Sequence, residues 1–382
     1  MLVYEHKLDG NQQQCAAIEA VIRVVQFIRN KCVRLWMDGD RVNKNDLQTY
    51  CAILAKEYSF ASRLNSQARQ ASADRAWFAI DRFYTNCREH KPGKKGYPQF
   101  QHNNRSVEYK QTGWKLDDDG KHITFTDGSG IGRLRLVGNK KQHIETFPTK
   151  DIKRVRLVRR ADGYYCQFCV KTERSVSHVP SGRQLGIDVG LGSFLTDSQG
   201  NTVDNPRHYR KTEKKLKRLG RHLSKKQKQS ANRKKARKAL AKQHLKVQRQ
   251  REDFARKQAN ALVSSHDLLA YEHLQIRTMV RNRKLAKSIH DAGWGIFLHW
   301  LARYGVLHDI PVIAVAPHYT SQQCSGCGTI VTKSLSIRTH ICHGCGVVLD
   351  RDQNAARNIL ERALSSHRGC TGGHSETDRL AL

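Results

Sequence analysis

The chain has 382 residues, with 68 Lys+Arg against 34 Asp+Glu and a formal net charge of +34. At roughly 150 residues per domain, this length allows two or three domains and excludes a small disulfide scaffold. A pI near 10.0 with a mean hydropathy of −0.67 makes a polyanion the default partner, and no run approaches the ~18 apolar residues of a spanning helix.

The first residues, Met1 to His6, lack the basic stretch followed by an apolar one that a secretory signal needs, so the protein is expected to stay in the cytoplasm where it is made. From Asn11 to Cys87, Ala17, Val21, Val24, Val25 and Phe27-Ile28 recur at spacings of three and four, as do Ile53, Leu54, Tyr58, Ala76, Ile80 and Phe83. That period predicts a helical subdomain. The run Lys91-Pro92-Gly93-Lys94-Lys95-Gly96-Tyr97-Pro98 is rich in breakers and marks a boundary. Between Val107 and Val170, short alternating runs begin at His122, Leu134, Val155 and Tyr164, separated by glycine-containing turns. They predict a small antiparallel barrel or sandwich.

A third region opens with the apolar strand Leu185-Gly186-Ile187-Asp188-Val189-Gly190, followed by short strands at Phe194 to Thr196 and at Thr202-Val203. Lys211 to Gln258 reads as long helices. Strands return at Asp267 to Glu272 and Pro311 to Ala316, with a helix from Ile289 to Tyr304 between them. Alternating strands and helices argue an α/β layer. The tail, residues 365–382, has no apolar period and is expected to be disordered.

Four of the eleven cysteines stand as two CxxC pairs, Cys324/Cys327 and Cys342/Cys345, each followed by glycine (Gly328, Gly346). Two such pairs in a chain expected in a reducing compartment point to a tetrahedral metal site with every position filled, hence a structural Zn²⁺. The glycines are expected at positive φ, where a tight knuckle needs them. Cys166 and Cys169 share the spacing but fall in a predicted strand, where residues three apart face opposite sides. They are expected to be ordinary core or surface cysteines.

Three acids sit at the ends of apolar elements: Asp188 in a strand, Glu272 closing another, and Asp352 in Asp350-Arg351-Asp352-Gln353-Asn354-Ala355-Ala356, the apparent start of a helix. A carboxylate in such a setting needs a cationic partner. If the strands are neighbours and the helix crosses them, the acids converge, and like charges so close call for metal. Two Mg²⁺ or Mn²⁺ ions roughly 3.5–4 Å apart would meet that need and suit phosphodiester hydrolysis. Taken singly, each acid also reads as a cap or salt-bridge partner. Strand Asp, hairpin, strand Glu, helix Asp is the order of an RNase H-like nuclease.

These residues resemble the TnpB family, transposon-encoded RNA-guided nucleases related to type V CRISPR effectors. The likeness runs from Tyr4-Glu5-His6-Lys7-Leu8 through Gly96 to Phe100, Gly186 to Gly190, Tyr271 to Leu274, Ser288 to Gly295 and Thr320 to Cys324, and ends at Asp350 to Ala356. It implies an α+β multidomain protein with an RNase H-like (RuvC) α/β nuclease domain. A zinc ribbon (322–347) interrupts that domain (181–321 and 348–364). A wedge-like β-barrel (1–10 and 91–180) and a helical recognition domain (11–90) precede it. By the same resemblance Asp188, Glu272 and Asp352 are the catalytic triad and Mg²⁺ ligands, Asp350 is a supporting residue, and the partners are a guide RNA from the host element and double-stranded target DNA. The expected activity is RNA-guided DNA endonuclease cleavage beside a short flanking motif, by a monomeric protein acting at the bacterial nucleoid. Asp9 stands where the family has proline. The presence of all three acids speaks against the family's nuclease-inactive repressor branch, which stays open as an alternative, as do a compact CRISPR effector and a transposase acting on element ends.

Between Arg207 and Gln258 there are 22 Lys or Arg against Glu213, Glu252 and Asp253, more than half of the net charge. Such density repels itself unless a polyanion neutralises it. Arg210, Lys211, Lys214, Lys215, Lys217, Arg218, Arg221, Lys225, Lys226, Lys234, Lys235, Arg237 and Lys238 are the candidate nucleic-acid contacts, on a helical hairpin laid against the guide or the guide–target duplex.

Overall fold

The computed structural model describes residues 1–138, 144, 147–172, 176–334 and 336–370. The chain divides into two units, residues 1–173 and 174–382.

In the first unit, strand β1 (Leu2–Asp9) leads into helices α1 (Gln12–Asp38), α2 (Lys44–Glu57), α3 (Ser59–Ser62) and α4 (Ser66–Arg88). Asparagine starts the three long helices. Asn11 and Asn43 each close a capping box, and the Asn65 side chain accepts from the Gln67 and Ala68 N–H groups, satisfying amides that have no partner within the helix. On α1, Val21, Val25 and Ile28 are buried as the apolar period predicts, together with Ile18, Ile22 and Cys32, whereas Ala17, Val24 and Phe27 are only partly covered. Residues 91–105 have no regular structure, and β2 (Ser106–Tyr109), β3 (Trp114–Leu116), β4 (His122–Phe125), β5 (Gly132–Val137), β6 (Ile152–Arg160) and β7 (Gly163–Val170) follow.

These strands join β1 in one antiparallel sheet of order β2-β6-β7-β1-β5-β4-β3. The first strand of the chain is thus its middle, paired with β7 from Leu2↔Val170 to Lys7↔Tyr165. Among the described residues β2 and β3 do not pair, so the hydrogen bonds leave the sheet open where the sequence predicts a barrel or sandwich. The backbone N–H groups of Gln111 and Thr112, between these two strands, donate instead to the Gln67 side chain on α4, at 2.9 and 3.1 Å. Cys166 and Cys169 are both buried in this unit, and burial pushes each thiol up.

The second unit is built on a five-stranded sheet of order β10-β9-β8-β11-β12. β8 (Gln184–Val189), β9 (Ser193–Asp197) and β10 (Thr202–Asp204) form a meander. β11 (Leu268–Glu272) and β12 (Val312–Val315) then run parallel to β8. Helices α5 (His208–Ser224) and α6 (Ala231–Ser265) connect β10 to β11, and α7 (Ile276–Met279), α8 (Ala286–Ala292) and α9 (Trp294–His308) connect β11 to β12. After the hairpin β13 (Thr339–Ile341) and β14 (Val348–Asp350), helix α10 (Arg351–Cys370) ends the described chain. The sheet has an apolar cluster on each side. Leu185, Ile187, Phe194 and Leu269 pack with Ala259 and Val263 of α6 and Phe297 and Leu301 of α9, whereas Ala270 and Val315 pack with Ile359 and Ala363 of α10.

Gly186 allows α10 to come this close: a Cβ there would stand 2.0 Å from the Ala356 carbonyl oxygen. Residues 365–370, expected in a disordered tail, continue α10, with the Ser365 and Ser366 hydroxyls donating back to Glu361 and Ala363 carbonyls. The rest of that predicted tail, 371–382, lies outside the described residues.

Candidate functional site

The parallel pairing of β8 with β11 sets Ile187 opposite Tyr271, so the next residues, Asp188 and Glu272, sit side by side at the ends of adjacent central strands. Leu185 to Ile187 and Leu268 to Ala270 before them are buried, and each acid lies at the half-buried end of its strand. Asp352 arrives from across the sheet in the first turn of α10. A Cβ on Gly190 would be 3.7 Å from its Oδ2. Asp350 caps this turn, its Oδ1 accepting the Asp352 and Gln353 N–H groups at 2.8 and 3.3 Å.

The three carboxylates feel one another. Burial first, then the charges of Glu272 and Asp352, push Asp188 well above the usual carboxylate range against the opposing pull of Arg351 and Arg338. Burial also raises Glu272, while the Thr320 hydroxyl and Arg362 pull it down. Asp352 is 5% exposed and carries two guanidinium partners: Arg338 on Oδ2, and Arg351, whose Nε stands 3.3 Å from Oδ1. In this arrangement the oxygens of the three acids do not all fall within 4.8 Å of one another, as the four cysteine sulfurs do.

Cys324 and Cys342 are buried and Cys327 and Cys345 exposed, with Sγ atoms 3.6 Å apart for Cys324/Cys345 and 3.5 Å for Cys327/Cys342. Each knuckle closes as its spacing predicts. Gly328 and Gly346 have φ of 80° and 73°, and their N–H groups donate to the Cys324 and Cys342 carbonyls at 2.9 Å. The Thr329 hydroxyl and N–H pull the Cys327 thiol down to about 6. Four gathered sulfurs are a ligand set that could hold a metal.

The basic candidates lie on α5, on α6 and in the turn between them. Twelve of the thirteen are exposed, Lys226 being partly covered, so this charge faces outward along the hairpin. Lys217 pairs with Glu213 at 3.0 Å, and Arg210 donates to Ser288 Oγ at 3.0 Å. The hairpin's origin is fixed by Asp291 of α8, 3% exposed, whose oxygens accept the Tyr209 and Arg210 N–H groups at 2.7 and 2.9 Å. Among the described residues no helix is long and apolar enough to cross a membrane.

Sequence reasoning assigned no role to Thr320 and Arg338, which bond Glu272 and Asp352, or to Asn354, Asn358 and Arg362, which bond the loop after β12. Asn354 and Asn358 carried a readable signal, two amides four apart among alanines and isoleucine, hence on one face of the helix. Arg338 carried none, because its loop is long and has no period.

The chain matches the family model described as "Probable transposase" over residues 167–283 and the "Cas12f1-like, TNB domain" over residues 294–359. A Streptomyces pristinaespiralis protein named "Putative RNA-guided DNA endonuclease" is 37% identical over 48% of this chain and 46% of its own length. "Putative RNA-guided DNA endonuclease InsQ" of Escherichia coli (strain K12) is 30% identical over 69% of this chain and 68% of its own. The chain thus spans about half the length of the first and two thirds of the second. Among solved structures, the cryo-EM structure of a Cas12f1–sgRNA–target DNA complex aligns with a TM-score of 0.52 at 14% identity, covering 91% of this chain and 81% of that one. At that identity the likeness is one of fold: a mixed α/β architecture of the Cas12 effector kind.

Proposed function

We propose that this chain, which belongs to the TnpB family, is an RNA-guided, divalent-metal-dependent DNA endonuclease that cuts target DNA with a single carboxylate centre. The observation that carries this reading is the meeting of Asp188 and Glu272 on neighbouring parallel strands with Asp352 on the helix packed across them. The strand order β10-β9-β8-β11-β12 supports an RNase H-like nuclease core over residues 181–321 and 348–364, with residues 322–347 as a zinc ribbon. Residues 1–10 and 91–180 would form the wedge and residues 11–90 the recognition domain.

The oxygen donors of Asp188, Glu272 and Asp352 suit Mg²⁺ or Mn²⁺, which when bound would supply positive charge at a scissile phosphate and lower the pKa of water. The side chains prepare for this. Packing of β8 against β11 fixes Asp188 beside Glu272, and their mutual repulsion favours uptake of a cation. The four cysteines would hold a structural Zn²⁺, which when bound would cross-link the two knuckles of the ribbon. The exposed lysines and arginines of α5 and α6 grip the phosphates of a guide RNA and its DNA duplex, while base pairing reads the sequence.

The test is cleavage of a plasmid carrying a target, by purified protein with its co-purified RNA and Mg²⁺. Guide-dependent cutting lost in D188A is expected. Cutting that survives D188A overturns the carboxylate centre, and strand transfer without any RNA makes the protein a transposase instead.

A further inference from the structure

Asn354, Asn358 and Arg362, spaced four apart, line one face of α10. Asn354 and Asn358 are 0% and 3% exposed, and amides so buried persist only where they are fully bonded. All three residues hold the loop that follows β12. Asn354 donates to the Gln323 carbonyl at 2.8 Å and accepts the Ser325 N–H at 2.9 Å. Asn358 donates to the carbonyls of both Thr320 and Gln323 at 2.7 Å. Arg362 donates to the Ala316 and His318 carbonyls at 3.1 and 2.6 Å and to Gln323 Oε1 at 2.9 Å.

From this loop Thr320, 3% exposed, donates its hydroxyl to Glu272 Oε1. A hydroxyl has one hydrogen to give. Its other acceptor, the Pro317 carbonyl, is 3.4 Å away, so the carboxylate takes the bond. Threonine's β-branch restricts its χ1 rotamer, and Asn358 holds the backbone that carries it.

We propose that Thr320 is a positioning residue for the carboxylate centre: it fixes the Glu272 oxygens, and Asn358 fixes Thr320, so that the helix bearing Asp352 also sets the place of Glu272. This rests on Glu272 being a metal-binding acid. Partners of metal-binding carboxylates typically contribute about 10–100-fold to metal affinity, and an effect of that size is expected here.

The experiment measures Mn²⁺ binding to the full-length, zinc-loaded protein by electron paramagnetic resonance and calorimetry, and the Mg²⁺ concentration for half-maximal cleavage by the ribonucleoprotein. T320V should bind Mn²⁺ about 10-fold more weakly and require correspondingly more Mg²⁺, and T320S, which keeps the hydroxyl, should restore affinity to within about threefold of wild type. T320A replaces T320V should the latter not fold. N358A should weaken Mn²⁺ binding too, and its effect in T320V/N358A should be less than the product of the two single effects, because one acts through the other. T320V and T320A binding Mn²⁺ as wild type does, while E272Q does not, overturns the positioning role alone. E272Q binding Mn²⁺ as wild type does overturns the reading of the carboxylate centre beneath it.

Discussion

The four cysteines and the three carboxylates each bring like groups near one another, and they are built by opposite means. Each sulfur pair is set by a five-residue knuckle closed by its own backbone and a glycine at positive φ. The carboxylates come from positions 188, 272 and 352 and are set by strand register, by helix packing and by buried amides many residues away. The sulfurs stand together, whereas one carboxylate leans on two arginines. A locally closed site tolerates change elsewhere in the fold. A site assembled from remote parts inherits every error in their packing.

The sharpest way to break this contrast is to remove one member of each set. D188A should reduce cleavage by about 10³-fold or more, on the order of 4 kcal/mol of transition-state stabilisation, with bound zinc unchanged by colorimetric assay. C342S should lose both zinc and cleavage, since Arg338 and Ser325, which touch Asp352 and Asn354, belong to the same cysteine-bounded segment. A C342S protein that cuts normally would make the two sites independent in both directions.

G186A is next in expected size. The added methyl meets the Ala356 backbone at 2.0 Å and cannot be absorbed by a side-chain rotation, so overpacking should cost about 1–3 kcal/mol in urea denaturation and cut cleavage with it. Lost stability with cleavage unchanged would mean that the α10 spacing does not govern the carboxylates.

A smaller effect follows from the raised Asp188. An acid whose folded pKa lies above its unfolded value withdraws stability as pH rises through that window, and the deficit persists above it. In Mg²⁺-free buffer, D188N should therefore melt above wild type at pH 7, and the difference should vanish below about pH 3, where the wild-type acid is protonated in both states. Equal melting temperatures at both pH values would remove burial and repulsion as the cause of the shift.

The smallest change lies away from both sites. K234Q, on the exposed face of α6, should flatten the log–log salt dependence of RNA binding by roughly 0.7–0.9 while leaving zinc content and melting unaltered. An unchanged slope would take Lys234 off the phosphate path.

How much could be read in advance follows the same division. The cysteine knuckles, the helical period of α1 with Val21, Val25 and Ile28 on its buried side, and the strand bearing Asp188 were legible because their causes lie within a few residues. The position of β1 in the middle of the first sheet, the open edges at β2 and β3 among the described residues and the guanidinium partners of Asp352 were not, because each depends on contacts more distant than any period reports. Asp350 shows the boundary. Its place beside Asp352 marks it as a supporting residue, but its work as the cap of α10 becomes visible only when the Asp352 and Gln353 amides are seen to point at it.

The buried Asp291 beneath α5 has one more consequence. A helix ordinarily offers a free phosphate its amino-terminal amides, a directional socket that would seat one nucleotide in one orientation. Here that socket is already plugged from within. On the reading proposed above, a nucleic acid lying along α5 would meet exposed side-chain cations there and not a backbone socket, a contact that carries no base identity.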